Sequence, residues 1–283
     1  MTGVRAGVRG VVAVLGEGLV PPDAPVIRPD DPGVTRGDGC FEGCRLVDGT
    51  VDNLGAHLAR MARSAAALEI PFDAAQWRPL IDEAVAAWNH PGEAAMKLLL
   101  TRGPAGFVSI GPLPADYPRQ RAEGLRVVTL DRGLPADAFA AAPWLLGGVK
   151  TLSYAVNMAA QREAARRGAD DVLFVSSDGC ALEAPTGSVV WAEGRTLRTT
   201  PTGATGILAG TTQRRLFERA AAAGWRTEER LVPVAELAAA EAIWLIGSVR
   251  GPVDVVELDG VARPRRPELD DQIRRLAGFP ARP

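Results

Sequence analysis

Residues 147–168 read GGVKTLSYAVNMAAQREAARRG and combine a turn, a lysine and a long helical pattern. Two glycines precede Lys150, and the alanine-rich stretch after it predicts a helix that ends at Gly168. Lys150 is one of very few lysines in a chain whose basic residues are mostly arginine. A lysine amine is nucleophilic only when deprotonated, and partial desolvation near another cation favours that state. Lys150 is therefore either a nucleophile for a carbonyl carbon or an ordinary solvated lysine at a helix start.

A carboxylate stands in mostly apolar sequence downstream of this lysine. Glu183 lies within CALEAPTG, where an ionised side chain is costly to bury without a cationic partner. A protonated ring nitrogen of a bound molecule would be such a partner. The alternative is a glutamate at the solvent-exposed end of a strand.

Two turns rich in small and hydroxyl-bearing residues follow. Gly210, Thr211 and Thr212 directly precede a helical pattern, and Gly247 and Ser248 follow an apolar strand. Amides at a helix start, together with hydroxyl groups, form an anion site that suits phosphate best. In the alternative interpretation these residues only cap secondary structure.

The pattern along the chain predicts helices and strands in both halves. Residues 53–70 carry apolar residues at three- and four-residue steps, which predicts a helix with His57 and Arg60 on other faces. The Asp48-Gly49 pair predicts a hairpin turn.

Residues 110–124, IGPLPADYPRQRAEG, are rich in proline and charge, which indicates a surface connection. We therefore expect an α/β or α+β fold in two lobes. The predicted parts are a small N-terminal α/β domain, a linker, and a larger C-terminal domain with a mixed or antiparallel sheet, at residues 1–117, 118–125 and 126–283.

Composition points to a small-molecule partner. Lys+Arg 32 against Asp+Glu 34 leaves a formal charge of -2, so no basic field indicates nucleic acid. No apolar run reaches the roughly 18 residues of a membrane span, and the first residues lack the apolar core of a secretory signal, so we expect a cytoplasmic protein without a membrane partner. Three cysteines without C-x-x-C spacing and only two histidines argue against a metal site.

In their order along the chain, these features resemble the fold type IV family of pyridoxal-phosphate enzymes. That family includes branched-chain aminotransferases, D-amino-acid aminotransferases and 4-amino-4-deoxychorismate lyases. The stretches that carry the resemblance are RGDGCFEGCRLVDG, HLARMARSA, KTLSYAVNMAAQREA, DGCALEAPTGSVV, ILAGTTQ, IGS and VVELDG. The resemblance implies pyridoxal 5'-phosphate as the cofactor and a homodimer as the working form.

The resemblance also implies roles for single residues. Lys150 would bond covalently to the cofactor and move the substrate proton. Glu183 would pair with the ring nitrogen, Tyr154 would reach the ring hydroxyl, and Leu208 would pack on the ring face. The phosphate would be held by Arg60, Thr211, Thr212 and Ser248, with Val249 completing the cofactor contacts.

Three positions depart from the family pattern. Ala184 replaces the usual glycine, Ser188 stands where many members have asparagine, and Gln213 stands where most have arginine. These differences bear on particular hydrogen bonds around the cofactor and leave cofactor binding as implied.

The substrate-facing residues leave the reaction open. Phe41 lies in an F-E-G stretch similar to that of branched-chain aminotransferases, but Ala95 and Lys97 stand where those enzymes carry tyrosine and arginine. The R-x-H carboxylate trap typical of D-amino-acid aminotransferases is absent from residues 101–112. Lys97 and Arg102 would then bind a substrate carboxylate, or else both are solvated surface residues.

We therefore expect a class IV transaminase that moves an amino group from a D-amino acid or an (R)-primary amine to a 2-oxo acid such as 2-oxoglutarate or pyruvate. The first alternative is a 4-amino-4-deoxychorismate lyase, which releases pyruvate and 4-aminobenzoate and which the MKLLLTRG stretch also resembles. A branched-chain L-amino-acid aminotransferase is the second alternative. The presence of Lys150 and Glu183 argues against a binding protein that has lost the chemistry.

Overall fold

The computed structural model describes residues 10–281, which divide into two compact units. Unit 1 comprises residues 10–114 together with Val149–Tyr154, and unit 2 comprises Ala115–Gly148 together with residues 155–281. The chain thus leaves unit 2 for one short segment, which contains Lys150, and then returns to unit 2.

Unit 1 is an antiparallel sheet with helices packed on it. Its elements are β1 (Val11–Val14), β2 (Gly18–Val20), α1 (Pro32–Thr35), β3 (Gly39–Val47), β4 (Thr50–Val51), α2 (Leu54–Ala67), α3 (Ala74–Ala87), β5 (Glu93–Thr101) and β6 (Gly106–Pro112). The strands lie in the order β2-β1-β6-β5-β3-β4. Helix α2 packs on β3, and α3 packs on β1 and β6.

The hairpin between β3 and β4 turns at the predicted dipeptide. Asp48 and Gly49 both have positive φ, 44° and 78°. Two central residues of positive φ match the twist of the strands they join, and Asp and Gly tolerate that conformation. The turn therefore sets the register of β3, the strand that carries Phe41.

Unit 2 is a larger mixed sheet flanked by helices. Its elements are α4 (Tyr117–Glu123), β7 (Leu125–Asp131), α5 (Ala155–Arg166), β8 (Asp171–Val175), β9 (Glu183–Ala184), β10 (Gly187–Glu193), β11 (Thr196–Thr199), α6 (Thr211–Ala222), β12 (Arg226–Glu229), α7 (Val234–Ala238), β13 (Ala242–Gly247), β14 (Gly251–Leu258), β15 (Val261–Ala262) and α8 (Pro267–Leu276). The main order is β12-β11-β10-β13-β14-β7-β8, with β9 on β10 and β15 on β14. The mixed α/β architecture expected from the sequence is confirmed. Across residues 10–281, none of the helices combines the length and the apolar character needed to cross a membrane.

Two segments differ from the sequence-based prediction. Residues 118–125, predicted as a linker, contain most of helix α4, whose Pro118 lies in the first turn, where a missing N–H removes no helical hydrogen bond. The strand-like runs that Asp178-Gly179 and Glu193-Gly194 separate predict an antiparallel meander, but the first of these strands, β8, pairs in parallel with β7. Val172, Leu173 and Phe174 are all buried, as is usual for a strand covered on both faces.

Helix α8 carries a buried carboxylate against the sheet. Asp270 is 2% exposed and accepts a hydrogen bond from Trp244 Nε1 at 2.7 Å. Burial, and then the nearby carboxylate of Asp254, raise the pKa of Asp270 from 3.8 to about 7. Because this pKa is higher in the folded state, the folded protein holds an extra proton between about pH 4 and pH 7. The contribution of Asp270 to stability is therefore lost as the pH rises through that window.

We expect Asp270→Asn to raise the free energy of unfolding at pH 8 by about 2–4 kcal/mol, since the amide removes a buried negative charge and still accepts from Trp244. The gain should be smaller at pH 5, where the carboxyl group of the folded wild type is protonated. Urea unfolding at both pH values measures the difference. Glu268→Gln changes an exposed carboxylate on the same helix and serves as the control. An equal increase in the free energy of unfolding at both pH values would contradict the raised pKa of Asp270.

Candidate cofactor and substrate site

The backbone around Lys150 is held by strand β3 and helix α2 of unit 1. The carbonyl oxygen of Lys150 accepts the N–H of Phe41 at 3.1 Å, and the carbonyl of Gly39 accepts the N–H of Leu152 at 2.9 Å. The N–H of Lys150 donates to Ser64 Oγ at 3.2 Å. The lysine therefore starts from a fixed backbone position rather than from a mobile loop.

The side-chain amine of Lys150 lies over two aromatic rings. Nζ is 4.4 Å from the ring centroid of Phe41 and 5.6 Å from that of Tyr154. The two rings meet edge to face, with centroids 5.2 Å apart. The rings replace part of the water around the amine and limit its directions. The structure thus brings together Lys150, Tyr154 and Phe41, three residues that the sequence assigns to the site.

Arg60 is buried on α2 and forms a bidentate ion pair with Glu42 of β3. Nε donates to Oε1 and Nη2 donates to Oε2, each at 2.7 Å. His57 Nδ1 lies 2.7 Å from Oε2 of the same carboxylate. Burial would raise the pKa of Glu42, but hydrogen bonds from Arg60 and His57 outweigh burial and lower that pKa to about 2. Glu42 is therefore ionised at neutral pH and fixes the orientation of the Arg60 guanidinium.

The burial of His57 and Arg60 corrects the helix-face prediction. These side chains are 1% and 4% exposed, although the apolar periodicity of α2 places them on other faces. Glu42 explains the difference, because it lies on the same buried face of β3 as Cys40 and Cys44 and needs cationic or donor partners there. A carboxylate at an alternating buried position is the signal in the sequence that indicates such a partner.

Lys97 lies exposed on β5, on the sheet face that carries Phe41. Lys97 pairs with Gly43 and Leu99 pairs with Phe41, and residues two apart on a strand share a face. Its neighbour on β6 is Ser109. Gly43, the residue directly opposite Lys97 on β3, has no side chain. The position suits a group that contacts a substrate on the Phe41 face.

Arg102 makes structural contacts in unit 1. Its Nε donates to Asp38 Oδ2 at 2.5 Å, and its Nη2 donates to the carbonyl of Leu68 at 2.6 Å. These bonds tie the turn after β5 to the segment before β3 and to the end of α2. The geometry favours the alternative interpretation of Arg102, that of a surface loop residue.

Three hydroxyl groups meet in unit 2 at the start of helix α6. Ser248 Oγ lies 3.1 Å from Thr211 Oγ1 and 3.3 Å from Thr212 Oγ1. Gly210 is the N-cap residue and has no side chain to cap the first amides. A side chain at Gly210 would collide with the Ser188 hydroxyl, so glycine keeps this approach open. Hydroxyls and helix-start amides together are suited to a phosphate group.

Glu183 and Leu208 are also neighbours in unit 2. The N–H of Leu208 donates to Glu183 Oε2 at 3.1 Å, and Arg132 Nη1 lies 3.9 Å from Oε1. The Glu183 side chain is 16% exposed, so its carboxylate is mostly removed from water. The predicted ring-nitrogen partner and the predicted ring-face residue therefore lie side by side. No motif in the sequence indicates Arg132 as a neighbour of Glu183.

The fold and the similarity to known proteins define a pyridoxal-phosphate-dependent enzyme of fold type IV. Residues 39–258 match the family described as amino-transferase class IV, and the chain belongs to that family. The family and the cofactor expected from the sequence are confirmed.

Relatives and solved structures agree with this family. The bifunctional aminodeoxychorismate lyase / D-amino acid transaminase of Mycobacterium tuberculosis is 41% identical over 272 residues, covering 91% of this chain and 94% of the relative. A hypothetical aminotransferase from Mycobacterium tuberculosis, solved in its PLP-bound form, is similar with a TM-score of 0.91 and 40% identity over 95% of this chain and 97% of the other. A fold IV-transaminase from Curtobacterium pusillum has a TM-score of 0.89 and 42% identity over 95% and 98%.

The chemistry of the described residues fits pyridoxal 5'-phosphate. Unit 2 carries a hydroxyl cluster at a helix start for the phosphate and a carboxylate for the ring nitrogen. Unit 1 carries a lysine amine for the aldehyde carbon. Each of these groups has the charge or donor character that the corresponding part of the cofactor requires.

Proposed function

We propose that this chain is a transaminase that moves an amino group from a D-amino acid, or from an (R)-primary amine, to a 2-oxo acid such as 2-oxoglutarate or pyruvate. The observation that carries the proposal is Lys97, an exposed cation on the same sheet face as Phe41, whose ring lies under the Lys150 amine. A single flexible cation suits carboxylates of different size. The relative from Mycobacterium tuberculosis, which is named in part as a D-amino acid transaminase, supports the same choice.

The second candidate is cleavage of 4-amino-4-deoxychorismate to pyruvate and 4-aminobenzoate. The same relative is named as an aminodeoxychorismate lyase as well, which favours this reaction over others. Both reactions begin with removal of the proton from the substrate α carbon. They diverge afterwards, so residues that act on that proton serve either one.

In the proposed reaction, Thr211, Thr212 and Ser248 bind the cofactor phosphate through their hydroxyls and the amides at the start of α6. Glu183 holds a proton at the ring nitrogen, and the Leu208 amide orients the Glu183 carboxylate. The bound cofactor supplies an electron-withdrawing ring that accepts the electron pair left on the substrate α carbon.

Lys150 acts as the base and then as the acid of the proposed reaction. Its Nζ takes the proton from the substrate α carbon and returns it at a different atom when an amino group is transferred. Phe41 and Tyr154 limit the directions open to Nζ, which keeps the amine near one path. Lys97 binds the substrate carboxylate and so orients the α carbon toward that amine.

The test compares two assays on the purified enzyme. One supplies D-alanine or (R)-1-phenylethylamine with 2-oxoglutarate, and the other supplies 4-amino-4-deoxychorismate. We expect faster turnover in the first assay. Rapid release of pyruvate and 4-aminobenzoate, with no half-reaction on amines, would reverse the order of the two candidates.

We expect Lys97→Ala to raise the KM for D-alanine and for 2-oxoglutarate by about tenfold, because a charged contact to the substrate carboxylate is lost. The KM for (R)-1-phenylethylamine in the half-reaction should change little, since this amine has no carboxylate. Lys97→Arg keeps the charge and serves as the matched control. Equal effects of Lys97→Ala on the amine and on D-alanine would exclude a carboxylate contact.

We further infer that the protein works as a homodimer, as the family resemblance implies, and that it works in the cytoplasm, as the sequence predicts. Light scattering of the purified protein in solution would test the first part of this inference. A monomer with full activity would contradict it.

A further inference from the structure

An arginine of helix α4 donates hydrogen bonds to the backbone of the turn that carries Ser248. Arg121 Nε donates to the carbonyl of Arg250 at 2.8 Å, and Arg121 Nη2 donates to the carbonyl of Val249 at 2.8 Å. Two consecutive carbonyls of one turn are therefore fixed by a single planar guanidinium. A pair of hydrogen bonds from one guanidinium fixes the orientation of the two carbonyls as well as their distance from the arginine. A single hydrogen bond fixes orientation less well.

The same turn is anchored at two further points. The Arg250 side chain is buried and donates from Nη2 to Asp171 Oδ2 at 2.6 Å and from Nη1 to Gln120 Oε1 at 3.3 Å. Gly251 has a φ of 82°, and a side chain there would collide with the ring of Phe279. The Arg121 guanidinium lies 5.8 Å from the centroid of that ring. The backbone after Ser248 is thus fixed by side chains from α4, β8 and the C-terminal segment.

We propose that Arg121 is a positioning residue for the cofactor phosphate, acting through the turn of residues 248–250. This inference rests on the proposed function, in which Ser248 binds that phosphate together with Thr211 and Thr212. Arg121 itself donates to backbone carbonyls on the turn, so its effect on the phosphate is transmitted by the peptide units.

Peptide geometry explains the transmission. The C=O of one residue and the N–H of the next point in opposite directions across a planar trans peptide. Fixing the Val249 carbonyl toward Arg121 therefore directs the Arg250 N–H away from Arg121 and prevents rotation of that peptide unit. Ser248 directly precedes this peptide unit in the chain, and its Oγ lies 3.1 Å and 3.3 Å from Oγ1 of Thr211 and Thr212.

The matched control is Arg263, which makes the same kind of contact elsewhere in unit 2. Its Nη2 donates to the carbonyl of Ala240 at 2.6 Å, and its Nη1 donates to the carbonyl of Ala238. Both arginines are half-buried. Arg263→Gln therefore removes an equivalent pair of bonds without touching the turn of residues 248–250.

The experiment measures dissociation constants of pyridoxal 5'-phosphate and of pyridoxal, which lacks the phosphate, for the wild type, Arg121→Gln and Arg263→Gln. We expect Arg121→Gln to weaken pyridoxal 5'-phosphate binding by about tenfold and to leave pyridoxal binding unchanged, since misplacement of a binding group by a fraction of an ångström costs affinity. Arg263→Gln should change neither constant, although both variants should lower the Tm. Arg121→Lys, which keeps the charge and loses the fork, should show a smaller loss and provides the measurement if Arg121→Gln does not fold.

Three outcomes would count against the inference. Unchanged pyridoxal 5'-phosphate affinity in both Arg121 variants would overturn it. A parallel loss of both ligands would show a general structural effect and would overturn it too. A wild type that binds no pyridoxal 5'-phosphate would instead refute the proposed function on which the inference rests.

Discussion

Lys150→Ala should lower turnover by on the order of 10³-fold or more and remove the visible absorbance of the covalently bound cofactor. In the proposed reaction, Lys150 supplies both the amine that bonds to the aldehyde carbon and the base that moves the substrate proton, and the variant lacks both. Its fold should survive, because the hydrogen bonds of residue 150 with Phe41 and Ser64 are made by the backbone atoms of residue 150. Absorbance spectra and steady-state rates, measured on the same preparation, check both parts.

Lys97→Ala is the matched control, since Lys97 is also a lysine of unit 1. That variant should keep the visible absorbance of the bound cofactor while its KM for carboxylate substrates rises. Full turnover by Lys150→Ala would contradict the proposal that Lys150 is the catalytic base. Loss of the visible absorbance in Lys97→Ala would contradict the proposal that Lys150 bonds to the cofactor and Lys97 binds the substrate carboxylate.

Glu183→Gln should lower kcat by about 10²- to 10³-fold, because a neutral amide no longer stabilises a proton on the ring nitrogen. The amide oxygen can still accept the N–H of Leu208, so the local backbone should keep its position. The comparison of kcat with the pyridoxal 5'-phosphate dissociation constant separates chemistry from binding. We expect the change in kcat to be the larger of the two.

Glu183→Asp keeps the charge on a shorter side chain and serves as the control for Glu183→Gln. It should recover part of the lost rate. If the kcat of Glu183→Gln equalled that of the wild type, the Glu183 carboxylate would have no role in holding a proton at the ring nitrogen of the cofactor. Arg132, 3.9 Å from Glu183, would then be the next cation to examine near this carboxylate.

Much of the fold follows from local pattern in the sequence. The apolar periodicity predicts α2, and the Asp48-Gly49 pair predicts the hairpin, because these elements depend on neighbours within a few residues. The helix after Lys150 likewise ends close to Gly168, which has a positive φ of 74°. Local signals of this kind need no knowledge of distant contacts.

The parts that were missed depend on residues far apart in sequence. His57 and Arg60 are buried because Glu42 lies opposite them, and periodicity in the helix alone does not reveal a charged partner on another strand. The fork of Arg121 on the carbonyls of Val249 and Arg250 joins residues separated by 128 and 129 positions. Every residue has a backbone carbonyl, whatever its side chain. The residue types at positions 249 and 250 therefore cannot indicate that their carbonyls accept hydrogen bonds from Arg121.

Part of the candidate site could be predicted from the sequence, because its residues follow one another along the chain in the order typical of the family. The family resemblance implies one phosphate for Thr211, Thr212 and Ser248, and the hydroxyls of these residues meet within unit 2. Arg102 shows the limit, because a guanidinium after a strand has the same appearance in sequence whether it binds a substrate or Asp38. Only the geometry distinguishes the two.

The short excursion of Val149–Tyr154 into unit 1 has a consequence for dissecting this protein into parts. A fragment that stops at Pro114 lacks this segment, so the N–H of Phe41 and the carbonyl of Gly39 lose their hydrogen-bond partners. No single break in the chain separates the two units with all their residues. Producing either unit alone, or permuting the chain termini, would require rejoining two distant stretches of sequence with a designed connection.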